Sequence, residues 1–432
     1  MNQLEIINIL NDWNFWNKAL ETGIPREQLL QEINAAVTAE EIVIVTGIRR
    51  SGKSTLLRQF CKGLIDSGVE KENILIMNLE DPRITKMDLE QLNSIYETYL
   101  TEINPPGKQY IVLDEVQTIE GWEKFARYLR ESKNANVLVT GSSSKLLSSE
   151  YSTALAGRHL DITVKPLSFR EFLTFKGIKI KTKIDLAENR HGIQRAFSEY
   201  LHWGGFPKVV LISTEKERTE LLEMYFRDII IKDAVMRYNL KDISAFEELA
   251  KYYLTNISSL QSFNRVRKFL ALNLDTVERY SYYLSYVYLL TFIPKFSYSK
   301  KEQIVNPKKV YCADLGLRNS TAFLFSEDGG RLAENLVFNE LARKKREIYY
   351  WKGLQEIDFV VKKGLKIETA IQVCWQITNP QTRTREINGL MEGMKKLKLN
   401  KGLIITENFS GEEQVNGFFI SYIPLWQWLL QE

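Results

Sequence analysis

The chain has 432 residues, of which 44% are hydrophobic and 26% are charged, and its formal net charge is +4. Such a composition is ordinary for a soluble globular protein that buries several cores. At roughly 150 residues per domain, this length suggests about three domains. The nearly balanced charge excludes bulk basic character as an argument for nucleic-acid binding.

Three further features predict a protein of the reducing cytoplasm with no membrane partner. The first 20 residues carry acidic and polar side chains where a signal peptide requires a basic start and an apolar run. The longest uncharged stretch, residues 280–294, is shorter than the ~20 residues of a membrane span. The cysteines Cys61, Cys312 and Cys374 lie far apart, with neither metal-ligand spacing nor a paired framework.

Residues 1–38 are predicted to form a helical extension. Trp13, Trp16 and Leu20 recur at helical spacing, and the pattern breaks at residues 23–25 before it resumes. Tryptophans at this spacing are typical of packing contacts rather than of a ligand site, so we assign no chemistry to them.

The most specific motif is residues 42–54, IVIVTGIRRSGKS, in which an apolar run leads into G-x-x-x-x-G-K-[ST]. The apolar run predicts a buried strand, and the residues from Ser54 onward place apolar side chains on one helical face. A glycine-rich loop between a strand and a helix can fold its backbone N–H groups around phosphate. The predicted nucleotide-binding residues are Gly47, Ile48, Arg49, Arg50, Ser51, Gly52, Lys53, Ser54 and Thr55.

This phosphate loop predicts binding of a nucleoside triphosphate, ATP, with Mg²⁺. We expect Lys53 to reach the β- and γ-phosphates and the Ser54 hydroxyl to ligate the metal. Residues 110–117, YIVLDEVQ, add an apolar strand that ends in two acids, as a Walker B strand does. Asp114 is predicted to support the metal, and Glu115 is predicted to orient and polarise the attacking water.

A further predicted strand, residues 136–141, ends in small polar side chains. We expect Thr140 to hydrogen-bond the lytic water or the γ-phosphate, with Ser142 as the second choice. The alternative is that these hydroxyls cap a helix predicted from Lys145 onward.

Ala156-Gly157-Arg158 precedes another predicted strand, and residues 166–172 read PLSFREF. Together with GIRRSGKST, LDEVQ and TGSSS, these motifs resemble those of AAA+ ATPases of the archaeal and prokaryotic branch, related to origin-recognition and STAND-type ATPases. The resemblance implies an α/β fold with a parallel P-loop sheet over residues 39–165 and a helical lid over residues 166–243.

In this family, the position of Arg158 presents an arginine finger to the nucleotide of a neighbouring subunit. A guanidinium there would neutralise charge as the phosphoryl group leaves, which requires a homo-oligomer. The alternative is a structural ion pair at the edge of the sheet.

Residues 244–310 resemble a winged helix-turn-helix domain, with three predicted helices followed by a two-stranded wing. Asp275 is a plausible N-cap of the third helix. The wing interleaves aromatic side chains with five lysines, which favours contact with DNA phosphates and bases. These are Lys295, Lys300, Lys301, Lys308 and Lys309. The alternative is a module for a protein partner, in which these charges are solvated.

Residues 311–432 resemble a C-terminal domain of unknown function whose core is similar to the PD-(D/E)xK nuclease fold. Glu334 and Asp358 match the acidic positions of such nucleases, but Gln372-Val373-Cys374 replaces E-x-K. Glutamine supplies no anionic ligand and cysteine no cation. Glu368 lies four residues upstream, roughly 13 Å away along a strand, which is too far to substitute. We therefore expect a nuclease-like fold without nuclease chemistry.

The sequence as a whole predicts an Mg²⁺-dependent ATPase that couples ATP hydrolysis to a conformational change. One alternative is a nucleotide-dependent switch or scaffold with little turnover. Another is a DNA-processing nuclease, which Gln372 and Cys374 disfavour.

Overall fold

A computed structural model of the chain describes residues 2–84, 87–144, 155, 157–323 and 328–431. These residues form two compact units. The first unit comprises Met1–Val164 with Tyr286–Tyr288, and the second comprises Lys165–Ser285 with Leu289–Glu432. The helix predicted from Lys145 onward lies outside the described residues. Every helix that the structure describes is too short or too polar to cross a membrane.

The first unit alternates helices and strands, as the sequence predicts. In chain order these are α1 (Gln3–Trp13), α2 (Glu27–Thr38), β1 (Ile42–Thr46), α3 (Lys53–Asp66), β2 (Ile74–Asn78), α4 (Leu89–Glu102), β3 (Tyr110–Asp114), α5 (Trp122–Lys133), β4 (Asn136–Gly141) and β5 (His159–Thr163). The strands form a five-stranded sheet in the order β2-β3-β4-β1-β5. Every pairing in this sheet is parallel, which confirms the predicted parallel α/β sheet.

Helices cover both faces of this sheet because successive strand side chains point to opposite sides. Ile42 and Ile44 face the layer that contains α1, α4 and α5. Val43 and Val45 face the layer that contains α2 and α3. Because the strands are parallel, the carboxyl ends of β1, β3 and β4 meet at one edge of the sheet, where the phosphate loop and both predicted acids lie.

The N-terminal extension covers the open edge of the sheet at β2. The Asn14 side chain donates to the Ile76 carbonyl at 3.0 Å and accepts from the Ile76 N–H at 2.7 Å. The indole N–H of Trp16 donates to the Ile74 carbonyl at 3.0 Å. Phe15 packs in one layer and Trp16 in the other, so this segment wraps around the edge strand.

The second unit begins with a helical region. Its helices are α6 (Phe169–Phe175), α7 (Lys183–Glu188), α8 (Arg190–Trp203), α9 (Pro207–Leu211), α10 (Glu215–Asp228), a π-helix (Ile229–Val235) and α11 (Met236–Tyr238). A glycine turn after α8 is held by a buried carboxylate: Asp314 accepts the Gly205 N–H at 2.6 Å and the Leu317 N–H at 3.0 Å. Burial raises the pKa of Asp314 to about 6.

A three-stranded sheet with four helices follows. Its elements are α12 (Ile243–Thr255), β6 (Leu260–Gln261), α13 (Phe263–Phe269), α14 (Leu274–Tyr286), β7 (Leu290–Ile293), α15 (Lys300–Val305) and β8 (Lys308–Cys312). The strand order is β6-β8-β7, with antiparallel pairings. The predicted N-cap Asp275 is wrong: the Asn273 side chain accepts the Thr276 N–H at 2.8 Å, so the cap lies before the helix.

The predicted two-stranded wing also differs from the structure. Strands β7 and β8 do pair, but α15 lies in their connection. Lys295 forms a bridge with Tyr350, and the Phe296 N–H donates to the Tyr350 carbonyl at 2.6 Å. The start of this connection is therefore bound to a strand of the C-terminal sheet instead of forming a free hairpin.

The C-terminal part contains a six-stranded mixed sheet. Its elements are α16 (Leu315–Thr321), α17 (Gly329–Arg343), β9 (Glu347–Lys352), β10 (Glu356–Lys363), β11 (Lys366–Val373), α18 (Pro380–Leu397), β12 (Lys401–Thr406), β13 (Gly411–Val415), β14 (Phe418–Pro424) and α19 (Leu425–Trp428). The order is β13-β14-β12-β11-β10-β9, with β12 parallel to both β11 and β14. Helix α18 packs its apolar side chains on one face of this sheet.

Candidate nucleotide-binding site

The phosphate loop joins β1 to α3 with a backbone that requires glycine at its first position. Gly47 has φ +143°, and a Cβ there would lie 2.0 Å from the Val164 carbonyl oxygen. Gly52 has φ +96° and directly precedes α3, which begins at Lys53. The first N–H groups of α3 therefore face the loop, where a helix N-terminus favours an anion.

Lys53 lies inside the curve of the loop and is only 4% exposed. Its Nζ donates to the Gly47 carbonyl at 3.1 Å and to the Ile48 carbonyl at 3.4 Å. The same Nζ lies 4.0 Å from Glu115 Oε1. The structure thus brings the predicted phosphate-binding cation next to the predicted water-orienting acid.

Asp114 and Thr140, which are buried at the ends of β3 and β4, form a hydrogen-bond network with the half-buried Ser54 of α3. The Ser54 hydroxyl donates to Asp114 Oδ1 at 3.1 Å, and the Thr140 hydroxyl donates to the same oxygen at 2.5 Å. Burial and the neighbouring Glu115 raise the pKa of Asp114 above its ordinary value. Hydroxyl and carboxylate oxygens are the ligands that Mg²⁺ requires, so Ser54 and Asp114 fit the predicted metal.

Glu115 lies at the open side of this network with its backbone in the left-handed region, at φ +64°. Its N–H donates to the Thr140 hydroxyl at 2.8 Å. The Gln117 amide donates to Glu115 Oε2 at 2.6 Å and fixes the carboxylate. A non-glycine residue at this φ costs free energy and is common where an active site fixes a side chain. Gln117 belongs to the LDEVQ motif, but no spacing or residue pattern in the sequence assigns it a role.

The loop also contains a buried hydroxyl that suits a phosphate ligand. Ser51 is fully buried, and its Oγ has no hydrogen-bond partner among the described residues. A buried polar atom of this kind costs free energy unless a ligand or water satisfies it. Ser51 therefore fits the predicted phosphate site.

The other predicted loop residues line the same turn with different exposure. Ile48 is buried, Arg50 is exposed, and Thr55 lies on the first turn of α3. Arg49 lies 3.6 Å from Glu80, with which it forms an ion pair. Ser142, the second choice after Thr140, is buried just beyond β4.

Residues 22–26 form a strap across the loop that the sequence did not predict. Arg26 is 4% exposed, and its Nη1 donates to the Ser51 carbonyl at 3.2 Å. The Gln59 amide on α3 donates to the Thr22 and Ile24 carbonyls at 2.6 and 2.8 Å. These contacts join residues far apart in the sequence, so no local pattern indicates them.

Tyr288 provides another unpredicted contact within the first unit. Its hydroxyl donates to Thr46 Oγ1 at 2.7 Å, directly before Gly47. Burial raises the pKa of Tyr288 to about 12, so the phenol is neutral and donates at physiological pH. Tyr288 also adopts φ +62°, which is unfavourable for an aromatic residue.

Arg158 lies at the opposite edge of the sheet from the phosphate loop. It precedes β5, which is parallel to β1 with His159 opposite Ile42, so Arg158 is at the amino-terminal edge. Its Nη1 lies 2.6 Å from Glu131, and its side chain is 52% exposed. Arg158 therefore does not take part in the phosphate site of its own chain.

Sequence comparisons match three families along the chain. The family described as "AAA domain" matches residues 39–173. Two families described as domains of unknown function, DUF8612 and DUF4143, match residues 194–328 and 329–428.

Two relatives are similar over nearly the whole chain. "Uncharacterized protein MJ1544" of Methanocaldococcus jannaschii is 31% identical over 427 residues, which cover 95% of this chain and 93% of the relative. An uncharacterized protein of Haemophilus influenzae is 28% identical over 420 residues, which cover 94% of this chain and 99% of the relative. Among solved structures, the Walker-type ATPase paby2304 of Pyrococcus abyssi is 15% identical, with a TM-score of 0.47. That match covers 72% of this chain and 99% of the other.

Proposed function

Because the chain belongs to the family of AAA-domain proteins that includes MJ1544 of Methanocaldococcus jannaschii, we propose that it is an Mg²⁺-dependent ATPase whose hydrolysis drives a conformational change. The AAA domain supports ATP binding and hydrolysis in general. The observation that carries the finer proposal is the contact between the Ser54 hydroxyl and Asp114, with Glu115 and Lys53 beside it.

Each side chain of the site then has a defined task. The loop N–H groups and Lys53 bind the phosphates, and Ser54 and Asp114 hold the metal. When bound, Mg²⁺ neutralises charge on the β- and γ-phosphates. Glu115 orients the attacking water and accepts its proton, and Gln117 holds the carboxylate in place. Thr140 fixes Asp114 and the backbone of Glu115 relative to each other.

The first experiment is steady-state ATP turnover of the wild type and of Glu115→Gln, each with and without duplex DNA. The amide can still hydrogen-bond water but cannot accept its proton, so we expect turnover to fall about 100-fold or more while ATP binding persists. Glu120→Gln is the matched control, because Glu120 is exposed and only five residues further along.

Three results would change this proposal. Wild-type turnover in Glu115→Gln would remove Glu115 from the role of base. ATP binding without turnover in both proteins would replace the motor with a nucleotide-dependent switch or scaffold. Stimulation of turnover by DNA would establish a DNA partner.

We also infer the identity of the domains in the second unit. A helical lid over residues 166–243 is supported by the run of helices α6–α11. A winged helix over residues 244–310 is supported by the order helix, strand, helix, helix, strand, helix, strand and by the antiparallel sheet. A nuclease-like fold over residues 311–432 is supported by the order α17, β9, β10, β11, α18, β12.

The wing lysines give DNA binding little support. Lys309 is 1% exposed and points away from solvent. The Lys308 ammonium lies 5.4 Å from the centre of the Phe263 ring and 5.9 Å from that of Tyr282. Lys300 and Lys301 remain exposed on α15, but two surface charges make a weak electrostatic footprint.

A further inference from the structure

A buried lysine in the second unit contacts three carboxylates at once. Lys309, on β8, is 1% exposed. Its Nζ lies 2.9 Å from Glu334 Oε1, 2.8 Å from Glu356 Oε1 and 2.8 Å from Asp358 Oδ1. The ammonium donates hydrogen bonds to Glu334 and Asp358, and it forms an ion pair with Glu356. We call these four residues the Lys309 cluster.

Other protein groups also contact the three carboxylates of the cluster. The Tyr311 hydroxyl donates to Glu334 Oε1 at 2.7 Å. The Val373 N–H donates to Asp358 Oδ2 at 2.9 Å. Lys352 Nζ lies 3.6 Å from Glu356 Oε2. The cluster is therefore anchored by hydrogen bonds and ion pairs on its outer side as well.

The predicted nuclease-like fold implies a divalent metal here, and these residues do not fit one. Glu334 and Asp358 are the two acids that the sequence matched to that fold, yet both turn an oxygen to the Lys309 ammonium. The Gln372 amide occupies the third position, where it donates to Glu386 at 2.7 Å. No group of three or more acidic, histidine or cysteine residues suited to a metal ion occurs in the described part of the chain.

Cys374, at the lysine position of the E-x-K pattern, supplies no cation, but a lysine from outside that pattern contacts both acids. The cation comes from Lys309, 25 residues before Glu334 and 49 before Asp358. Glu368 lies apart from the cluster, as the sequence predicts, in an ion pair with Arg346 at 3.5 Å.

We propose that Lys309 is the resident cation of this domain: it takes the place of a divalent metal and locks β8 to α17 and β10. The N···O distances of 2.8–2.9 Å are only a few tenths of an ångström longer than the ~2.3–2.6 Å of Ca²⁺–oxygen bonds. Three carboxylates without the ammonium would therefore form a site for a divalent cation. This inference is independent of the proposed ATPase activity.

The experiment measures Mn²⁺ binding to the nucleotide-free full chain by electron paramagnetic resonance of free Mn²⁺, together with thermal unfolding. The wild type should bind no Mn²⁺ at the Lys309 cluster. Added Mn²⁺ should therefore leave the Tm of the second unit in the wild type unchanged. Lys309→Ala should gain one Mn²⁺ site and lose roughly 5–20 °C in Tm, because it leaves buried charges unpaired. Millimolar Mn²⁺ should restore part of that loss.

Lys308→Ala is the matched control, because Lys308 is the adjacent lysine on the other face of β8 and contacts aromatic rings instead of acids. It should gain no Mn²⁺ site. Any Mn²⁺ that binds to the first unit binds equally in all variants, so the wild-type stoichiometry is subtracted from that of each variant.

A second comparison keeps the proposal testable if Lys309→Ala does not fold. Equal Mn²⁺ stoichiometry in the wild type and Asp358→Asn supports a resident lysine. Loss of a Mn²⁺ ion in Asp358→Asn overturns it, since the wild-type cluster would then be a metal site. A folded Lys309→Ala with wild-type Tm and no new Mn²⁺ site also overturns it.

Discussion

Thr140 connects both acids of the candidate site through one hydroxyl. It donates to Asp114 Oδ1 and accepts the N–H of Glu115. A hydroxyl has one donor and two acceptor positions, so one acceptor remains for the predicted contact with water. The left-handed backbone of Glu115 depends on this contact for a partner to its N–H.

We predict that Thr140→Val lowers ATP turnover. Valine has nearly the same shape but removes the donor to Asp114 and leaves the Glu115 N–H without its partner. A hydrogen bond to a charged group is worth about 1.5–3 kcal/mol, so kcat should fall roughly 10- to 100-fold. Thr140→Ser, which keeps the hydroxyl, is the control and should retain most of the turnover. Equal rates in both variants would assign Thr140 a packing role alone.

Single residues of the site divide into those that a local motif predicts and those that it does not. Lys53 and Asp114 were predictable because a loop or strand end fixes their position within a few residues. Arg26 and Tyr288 were not, because each reaches the phosphate loop from a distant segment. In the sequence, an arginine or a tyrosine at these positions is equally typical of an ordinary surface or core residue.

At the scale of elements, the glycine turn after α8 is a tightly constrained connection. Gly204 has φ +70° and ψ −158°, a backbone region that is essentially restricted to glycine. A Cβ there would lie 2.1 Å from Asp314 Oδ1, and a Cβ on Gly316 would lie 2.0 Å from the Trp203 carbonyl oxygen. The turn and α16 therefore pack against each other through backbone atoms.

We predict that Gly204→Ala destabilises the second unit by about 2–4 kcal/mol, because it adds a clash with a buried carboxylate to backbone strain. Gly177→Ala is the matched control: Gly177 has φ +76°, but nothing lies within 4 Å of the added Cβ. It should cost only about 1 kcal/mol. Denaturant unfolding measures both, and equal losses would show that the contact with Asp314 contributes nothing.

Element types were easier to predict from the sequence than their ends and partners. Asn273 and Asp275 are both good N-cap residues, and only the backbone path decides between them. The wing was predicted from its strand-like ends. The pairing of Lys295 with Tyr350 depends on a strand more than 50 residues away, which no local pattern contains.

At the scale of the whole molecule, alternation of strands and helices predicted a parallel sheet, but not the order β2-β3-β4-β1-β5. Strand order depends on whether each connection places the next strand beside the previous one or farther along the sheet. Hydrophobic patterns do not indicate which of these occurs. The Lys309 cluster is a similar case, since its members come from three elements that are separate in the sequence.

The predicted arginine-finger role of Arg158 requires a second copy of the chain. Its ion pair with Glu131 is exposed, and such pairs contribute little, so the guanidinium is available to a neighbour at small cost. We predict that Arg158→Ala abolishes ATP turnover without affecting ATP binding. Arg127→Ala is the control, because Arg127 contacts the same Glu131 at 3.8 Å.

A mixing experiment tests whether Arg158 acts between subunits. Arg158→Ala and Glu115→Gln should each be inactive alone. In an equimolar mixture, about a quarter of the interfaces should combine an intact arginine with an intact glutamate and recover that share of wild-type turnover. If Arg158→Ala turned over ATP at the wild-type rate, the arginine-finger role would be excluded and Arg158 would have only its structural ion pair with Glu131.

The wrapping of residues 14–16 around β2 has a consequence for where this domain can be cut. The family match begins at residue 39, but three backbone groups of β2 take their hydrogen bonds from Asn14 and Trp16. A fragment that starts at residue 39 would expose that strand as an open template for another copy. Such fragments should self-associate, so the smallest independent fragment of this domain should include residues 14–16.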